Sequence, residues 1–381
     1  MSNRTITGVQ LVTPDEEIRS VSIAIDDAGN IFGVSDEHPG GDTIVDGGNR
    51  LYALPGFIDI HTHGANGKDL ANVTDDAVHT IAEAKLKEGV TTFLPTTWTS
   101  SAELLEQMAR AAAAYRKDQP FARTPALHIE GPYLNTDQAG AQNPDLMRLP
   151  DIAEIEKIHQ ICPVAIVSLA VELEGGTEFV SAMSKMGIIT SAAHSAATME
   201  DFRKARRAGL SHMTHFCNQM SKLHHRDIGL VGAGLLDTDV KLEMICDKIH
   251  LCADMIELVF KLHPLDKIML ITDSIGASHL ADGEYPQGDG IIIVKDGAAR
   301  LPKGNLAGST LQYQLGLKNV AEITGLPLNQ VVSATSANQA QSLGLHDRGR
   351  IEPGMLGDVV LLNEDFEVEM TIVGGEVKYR R

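Results

Sequence analysis

Two histidines near the start of the chain have a spacing that could bind a metal ion. His61 and His63 lie in the segment PGFIDIHTHG, whose apolar residues predict a β-strand. Because side chains alternate along a strand, both imidazoles are expected to point to the same side, together with Phe57 and Asp59. Two imidazoles on one side of a strand supply half the ligands of a typical zinc site.

Further ionisable residues share one feature, since each lies at or near the end of a short apolar run. They are Glu130 in PALHIE, His194 in IITSAAH, His215 in SHMTHF and Asp273 in KIMLIT. If those runs are the parallel strands of one barrel, their carboxyl ends meet on the face where such barrels place their active sites. Buried ionisable groups need partners, and a divalent ion is the simplest partner for four histidines and two carboxylates.

The ligand types predict a catalytic centre rather than a structural one. Histidine nitrogens and carboxylate oxygens suit zinc, iron, manganese or nickel, and we expect one or two divalent ions per subunit, with zinc first. Such an ion lowers the pKa of bound water and polarises a carbonyl group, which is the chemistry of amide hydrolysis. We expect Asp273 to take a proton from the attacking water and return it to the leaving amine. Cys217 is either a further ligand or a small buried residue.

Eight short apolar runs alternate with helical segments between about residues 56 and 273. This alternation predicts a parallel sheet with right-handed crossovers, and eight units favour a closed α/β barrel of the (β/α)8 type. Both chain ends carry strand-like runs that are too short to fold alone. We therefore expect residues 1–55 and 346–381 to form one small β-sandwich domain beside a barrel domain of residues 56–345. Residues 281–303 are expected to form a hairpin-like excursion.

Composition excludes several classes of protein. The 381 residues are 43% hydrophobic and 22% charged, which is typical of a globular protein with a large core. The formal charge of −19 repels nucleic acid and anionic membrane surfaces, so neither is an expected partner. The sequence has no apolar run of the roughly 18 to 20 residues needed to span a bilayer, and its four cysteines include no CxxC pair. These features favour a cytoplasmic protein.

A series of motifs, in this order along the chain, resembles the amidohydrolase superfamily and, within it, the N-acetylglucosamine-6-phosphate deacetylases. The motifs are PGFIDIHTHG, HIEGPYLN, AGAQNP, HSAAT, THFCNQM, RDIGLVGAGL, ITDS, NLAGST and IEPGMLGDVVLL. The resemblance implies metal-dependent hydrolysis of the N-acetyl group of N-acetylglucosamine 6-phosphate, which gives glucosamine 6-phosphate and acetate. It also implies that Glu130 bridges two metal sites. One site would be held by His61, His63 and Asp273, and the other by His194 and His215.

The same resemblance implies contacts to a phosphorylated amino sugar. Arg226, in SKLHHRD, aligns with a phosphate-binding arginine that is donated across the interface of a homodimer. His250 aligns with a second phosphate contact, and Asn218 and Gln219 are expected to lie against the substrate. Gln142, in AGAQNP, is expected to contact the acetyl group or the sugar. A phosphate needs such a local cluster of donors because the whole protein is strongly anionic.

Three alternatives remain open from the sequence. HSAAT and LHHRDIGLVGAGL are also similar to N-acetylgalactosamine-6-phosphate deacetylases, and Gln219 and Lys248 add bulk relative to the usual NAM and DG-H patterns. A related amidohydrolase activity on another N-acyl group or a cyclic amide is a second alternative. The strand end with Glu130 has no lysine, which argues against the subgroup with a carboxylated lysine. A non-catalytic scaffold is the third, and the retention of all six ligands argues against it.

Overall fold

The computed structural model describes residues 4–14, 16–37, 40–74, 76–288 and 290–381. Most of the longer strands and helices alternate along the chain, with antiparallel strands at both ends. The strands are β1 (Arg4–Leu11), β2 (Arg19–Ile25), β3 (Ile31–Ser35), β4 (Asp42–Pro55), β5 (Phe57–Thr62), β6 (Gly64–Ala65), β7 (Lys68–Asp69), β8 (Val90–Pro95), β9 (Leu127–Glu130), β10 (Val164–Leu169), β11 (Ile189–Ala192), β12 (His212–Met213), β13 (Lys241–Ile245), β14 (Ile268–Ile271), β15 (Gly283–Gln287), β16 (Gly290–Lys295), β17 (Ala298–Arg300), β18 (Val359–Leu362), β19 (Val368–Val373) and β20 (Glu376–Arg380).

The helices are mostly of about three turns and lie between the parallel strands. They are α1 (Ala77–Leu86), α2 (Ala102–Tyr115), α3 (Ile152–Ile161), α4 (Gly176–Lys185), α5 (Met199–Ala208), α6 (Gly229–Leu236), α7 (Ala253–Leu262), α8 (Tyr313–Thr324), α9 (Leu328–Val331) and α10 (Ala337–Leu343). Their ends follow local chemistry. The side chains of Thr198 and Asp201 form a capping box at the start of α5, and Gly209 ends that helix. No helix among the described residues is long and apolar enough to cross a membrane.

Eight parallel strands position the chemistry-bearing residues. Six of them form one sheet in the order β14, β13, β12, β11, β10 and β9, and β5 pairs with β8 in a second sheet. Isolated parallel bridges join Thr96 to His128, at the ends of β8 and β9, and Thr62 to Ser274, at the ends of β5 and β14. These bridges connect both sides of the smaller sheet to the larger one.

Both chain ends contribute to a seven-stranded sheet in the order β20, β19, β18, β4, β1, β2 and β3. Only β1 and β4 run parallel, and the other neighbours are antiparallel. The sheet has its own apolar cluster, in which Ile6 and Ile23 from one end pack with Val359 and Leu361 from the other. Since β4 leads directly into β5, this sheet holds the start of the strand that carries His61.

The expected excursion is a three-stranded antiparallel sheet of β15, β16 and β17. Its buried side chains Ile292 and Val294 pack against Ile275 and Ala277, which directly follow β14. The excursion therefore covers the carboxyl end of a strand that ends beside Asp273.

The predicted orientation of the β5 side chains is wrong for part of the strand. Ile58 and Ile60 belong to an apolar cluster with residues from five other parallel strands or their edges, so they point to the inner side of the strands. Asp59 contacts Lys85 of α1, and Phe57 stacks on Tyr313 of α8. The pairing of β5 with β8 shifts register between Asp59 and Thr62, and this irregularity breaks the simple alternation that the prediction assumed.

Candidate metal centre

The six predicted ligands meet at the carboxyl ends of five parallel strands. His61 and His63 are at the end of β5, Glu130 is the last residue of β9, and the others follow β11, β12 and β14. All six are buried, with at most 7% of any residue exposed. The six residues are His61, His63, Glu130, His194, His215 and Asp273. The structure therefore brings together all six residues that the sequence analysis placed at strand ends.

The first half of the centre contains His61, His63 and Asp273. The two histidine Nε2 atoms lie 3.2 Å apart. Asp273 Oδ1 lies 3.2 Å from Nε2 of His63 and 3.4 Å from Nε2 of His61. Three potential ligand atoms thus point at one small volume.

The second half contains His194 and His215, with Glu130 between the two halves. Glu130 Oε1 lies 2.9 Å from Nε2 of His215 and 3.3 Å from Nε2 of His194. The two Nε2 atoms of this half are 3.2 Å apart. Glu130 Oε2 faces the first half, 3.2 Å from Nε2 of His63. One carboxylate therefore presents an oxygen to each group.

These separations fit a divalent ion better than hydrogen bonds alone. Ligand atoms placed about 2.0 to 2.2 Å from a tetrahedral ion lie roughly 3.3 Å from one another, close to the distances found in both halves. The contacts of the Nδ1 atoms of His63 and His194 also favour a bound cation at their Nε2 atoms. Nδ1 of His63 lies 3.2 Å from the carbonyl of Thr96, and Nδ1 of His194 lies 2.7 Å from the carbonyl of Gln138. Since a carbonyl only accepts, each Nδ1 carries the proton and each Nε2 lone pair is free for a cation.

The charges of the two halves are strongly coupled when no cation is present. Burial on its own lowers the pKa of His63, but Asp273 and Glu130 raise it to about 9. Burial raises the pKa of Glu130, but His61, His194 and His215 together hold it well below its usual range. For Asp273, the opposing effect of His61 and His63 outweighs burial and lowers the pKa. The carboxylates are therefore ionised at neutral pH and attract positive charge to the centre.

Three of the ligands lie on unusual backbone. His194, His215 and Asp273 have φ angles of 44°, 33° and 51°, in the left-handed region that residues with a Cβ seldom adopt. Such conformations cost about 1 to 3 kcal/mol each and are found mainly at functional sites. The chain turns sharply at these strand ends, and each turn aims a ligand into the centre.

Comparison with known proteins agrees with this geometry. Residues 52–378 match the amidohydrolase family. The chain belongs to this family. It is 36% identical to the N-acetylglucosamine-6-phosphate deacetylase of Lysinibacillus sphaericus, over 87% of this chain and 86% of the relative. It is 32% identical to the N-acetylgalactosamine-6-phosphate deacetylase of Escherichia coli O157:H7, over 85% of this chain and 86% of the relative.

A solved structure extends the similarity to the whole fold. The N-acetyl-D-glucosamine-6-phosphate deacetylase of Mycobacterium smegmatis, determined as a variant in complex with N-acetyl-D-glucosamine-6-phosphate, has a TM-score of 0.92 and 27% sequence identity. The alignment covers 99% of this chain and 100% of that chain. The resemblance found in the sequence motifs is therefore confirmed. Divalent-metal dependence is general among amidohydrolases, and this chain has the matching His, Asp and Glu groups.

A cavity of about 310 Å³ opens onto the amidohydrolase centre. Four of the five predicted substrate contacts line it, namely Gln142, Asn218, Gln219 and His250. Arg226 does not line it, because it lies in an exposed loop of residues 222–227, where its Nη1 contacts Nε2 of His225 at 2.7 Å. The described residues lining the cavity include no lysine or arginine.

Gln142 contacts the centre directly. Its Nε2 donates to Glu130 Oε2 at 2.5 Å, and its Oε1 accepts from the backbone N–H of Thr99 at 2.8 Å. This amide therefore holds the orientation of Glu130. From the sequence, Gln142 was expected to contact the acetyl group or the sugar, and its bond to Glu130 was not predicted.

Trp98 is a site residue that the sequence analysis missed. Its ring stacks on His63 with 4.0 Å between the centroids, and its Nε1 donates to Asp69 Oδ2 at 3.0 Å. Trp98 lines the cavity and fixes the plane of His63. The sequence feature that could have identified it is that Trp98 is the only tryptophan of the chain and lies three residues after the apolar run VTTFLP, at a strand end.

A second polar layer lies beneath the centre. His61, His128 and Glu243 form a third group whose nitrogen and oxygen atoms lie within 4.8 Å of one another. Both nitrogens of His128 already have partners, namely the carbonyl of Ile60 and the hydroxyl of Ser168, each at 2.7 Å. Burial and the neighbouring His61 lower the pKa of His128 to about 4, so the ring is neutral. His128 is therefore held by hydrogen bonds beneath the candidate ligands, and Oε1 of Glu243 lies 3.2 Å from Nδ1 of His212. Cys217 is not in a candidate group among the described residues, and burial raises the pKa of its thiol to about 12.

Proposed function

We propose that this amidohydrolase removes the N-acetyl group of N-acetylglucosamine 6-phosphate and releases acetate and glucosamine 6-phosphate. The observation that carries the proposal is the convergence of the two ligand groups on Glu130 beside a cavity of substrate size, in a chain whose relatives are named for this reaction. The reaction needs a polarised carbonyl, an activated water and a proton donor for the leaving nitrogen.

The distances within the two groups support the following metal assignment. His61, His63 and Asp273 would hold one divalent ion, and His194 and His215 would hold a second, with Glu130 bridging the two. One or two ions bind per subunit, with zinc first and iron, manganese or nickel as alternatives, because the ligands are nitrogens and oxygens. When bound, the ion supplies Lewis-acid polarisation of the amide carbonyl and lowers the pKa of water.

Asp273 moves the proton in this proposal. Its carboxylate borders the cavity, and its low pKa keeps it unprotonated at neutral pH. An unprotonated carboxylate accepts a proton from the attacking water through one oxygen and then donates it to the leaving amine. The side chain is 11% exposed, enough to reach the cavity while the rest of the residue stays packed.

The phosphate requires positive charge that the described cavity lining does not contain. His250 and the amides of Asn218 and Gln219 supply polar donors at the cavity wall. Arg226 supplies the missing cation in a homodimer, where the exposed loop of residues 222–227 from one protomer reaches the cavity of its partner. Leu223 in this loop is 55% exposed, which is consistent with a loop that packs against a second chain.

The architecture that serves this function is a closed (β/α)8 barrel of residues 56–345, with residues 1–55 and 346–381 as a separate β-sandwich domain. Support for closure comes from the two bridges that link β5 and β8 to the six-stranded sheet. Support for the second domain comes from the mixed pairing of strands from both chain ends. The barrel would carry every candidate ligand, and the β domain would anchor β5.

The test is a deacetylation screen that uses purified protein with its metal content quantified. Acetate release is measured from N-acetylglucosamine 6-phosphate, N-acetylgalactosamine 6-phosphate and both unphosphorylated sugars. The second phosphate ester is included because of the 32% identity to the Escherichia coli enzyme. Higher kcat/KM with the first substrate supports the proposal, and higher kcat/KM with the galactose epimer would replace it with the alternative. No acetate release from any of the four together with no stoichiometric metal would indicate a non-catalytic scaffold, whereas bound metal without acetate release would favour a related amidohydrolase activity on another substrate.

The phosphate assignment needs a matched pair of variants. Arg226→Ala should lower kcat/KM for the phosphorylated sugar and leave the unphosphorylated sugar unchanged. Arg110→Ala, an exposed arginine on α2, serves as the control and should change neither value. Equal efficiency of the wild type on the phosphorylated and free sugars would contradict phosphate recognition.

A further inference from the structure

A buried group of charges lies on the helix side of β5, behind the metal centre. Asp59, Lys85 and Glu88 are each fully buried. Lys85 Nζ lies 3.1 Å from Asp59 Oδ2 and 3.1 Å from Glu88 Oε2. Fully buried lysines are rare, and burying this one requires both carboxylates as partners. Neither the metal sites nor the proposed proton transfer uses these three residues.

The Asp59 carboxylate connects the two strand ends that carry the first half of the centre. Its Oδ1 accepts the backbone N–H of His61 at 3.3 Å and that of Thr272 at 3.2 Å. Its Oδ2 accepts the hydroxyls of Thr62 at 2.8 Å and Thr272 at 2.5 Å. Lys85 also donates to the Thr272 hydroxyl at 3.0 Å. Thr272 directly precedes Asp273 and Thr62 lies between His61 and His63, so each contact is on a candidate ligand or on the residue next to one.

These contacts coincide with the break in strand alternation. Ile60 points inward with the apolar cluster, and the following residue His61 also points inward, towards Asp273. A regular strand would send one of these two side chains outward. The irregular pairing of β5 leaves backbone groups without ladder partners, and the Asp59 carboxylate accepts the His61 N–H at this point.

Glu88 fixes the other side of Lys85. Its Oε2 also accepts the backbone N–H of Tyr313 at 3.0 Å, and its Oε1 lies 2.8 Å from Nε2 of His279. The lysine is therefore held from α8 and from the loop after β14, as well as from β5. The group has a defined geometry and cannot rotate freely.

We propose that the Asp59–Lys85 pair is a positioning unit for the metal site of His61, His63 and Asp273. It holds the irregular end of β5 and the end of β14 at a fixed position relative to each other, so that His61, His63 and Asp273 point to one ion. The proposal rests on the metal binding in the proposed function, but it does not depend on which substrate is hydrolysed. It predicts that weakening the unit affects this metal site and spares the site of His194 and His215.

The test uses a conservative variant with a matched control. Thr272→Val keeps the shape of the side chain and removes the hydroxyl that contacts Asp59 and Lys85. Thr124→Val makes the same substitution at another fully buried threonine, whose hydroxyl donates to the carbonyl of Ala126 at 3.3 Å, before β9 and thus at the opposite end of that strand from Glu130. Both proteins are stripped of metal and titrated with Zn²⁺ against a chromophoric chelator, and the bound metal is counted by mass spectrometry.

The expected result is selective. Thr272→Val should bind one equivalent of Zn²⁺ at least about tenfold more weakly and bind the other equivalent with unchanged affinity. Loss of a hydrogen bond that supports a metal ligand typically changes metal affinity by 10-fold to 100-fold. Thr124→Val should keep both affinities. Thr62→Val, which removes the second hydroxyl on Asp59, should repeat the selective loss.

Other results overturn the proposal. Unchanged affinities in Thr272→Val, equal weakening of both equivalents, or a wild-type protein that binds only one equivalent would each do so. Acetate release is measured separately. A deacetylation screen without product would reject the proposed function while the Zn²⁺ titration still decides the positioning role.

Discussion

Replacing Asp273 with Asn tests the proton transfer most directly. The carboxylate lies 3.2 Å from Nε2 of His63 and 3.4 Å from Nε2 of His61, and it borders the substrate cavity. Asn keeps one oxygen and nearly the same shape, but it cannot accept and return a proton. A positioned general base contributes about 10²-fold to 10⁴-fold in rate, which corresponds to about 2.7 to 5.4 kcal/mol of transition-state stabilisation. We expect kcat to fall by that factor.

The assay measures acetate release under saturating substrate, with metal content determined for the same preparation. Asp69→Asn provides the control, because Asp69 is also a buried acid near the cavity and contacts Trp98, but it is not placed to exchange a proton with substrate. It should retain kcat within about tenfold of the wild type. If Asp273→Asn also kept kcat within about tenfold while binding the same amount of metal, the proton-transfer role of Asp273 would be wrong.

Two further predictions concern the pH dependence of stability in the metal-free protein and the effect of Gln142 on Zn²⁺ binding. In the metal-free protein the pKa of His63 is raised from 6.5 to about 9, so protonation of His63 stabilises the fold fully below pH 6.5 and this stabilisation is lost as the pH rises to about 9. The pKa of His61 is also raised, so chemical denaturation of chelator-treated protein should show a free energy of unfolding that falls by at least roughly 1.4 kcal/mol per pH unit in this window, and His63→Asn should make the slope less steep. Gln142→Leu removes the donor to Glu130 and leaves the buried N–H of Thr99 unpaired. It should lower stability by about 1 to 3 kcal/mol and weaken Zn²⁺ binding about tenfold, and an unchanged Zn²⁺ titration would count against the orienting role of Gln142.

The ligands could be predicted from sequence because the argument needed only their position along each strand. Glu130 ends an apolar run, and Asp273 directly follows another, so parallel pairing brings both to the same edge. The exact register between strands was not required. The pairing of strands from the two chain ends follows similar logic, since neither end contains enough apolar residues for a core of its own.

Side-chain direction within β5 was harder to predict because it depends on neighbouring strands. The alternation rule assigned Asp59 to the inner side, whereas the irregularity between Asp59 and Thr62 turns it towards Lys85 on α1. No local residue pattern distinguishes an irregular strand from a regular one when the contact that stabilises it comes from a helix more than 20 residues later. The bond between Gln142 and Glu130 was equally inaccessible, because Gln142 lies in a loop whose path is set by tertiary packing.

The position of β4 has a consequence for synthesis of the chain. β4 lies between β1, from the first residues, and β18, from the last part of the chain. During translation, β4 therefore keeps one edge unpaired until residues 359–362 have left the ribosome, and an open edge of this kind promotes aggregation. A nascent chain that ends before Val359 has synthesised all six candidate ligands but cannot complete the sheet that anchors β5. A deletion that removes residues 359–362 is accordingly expected to leave this edge of β4 open.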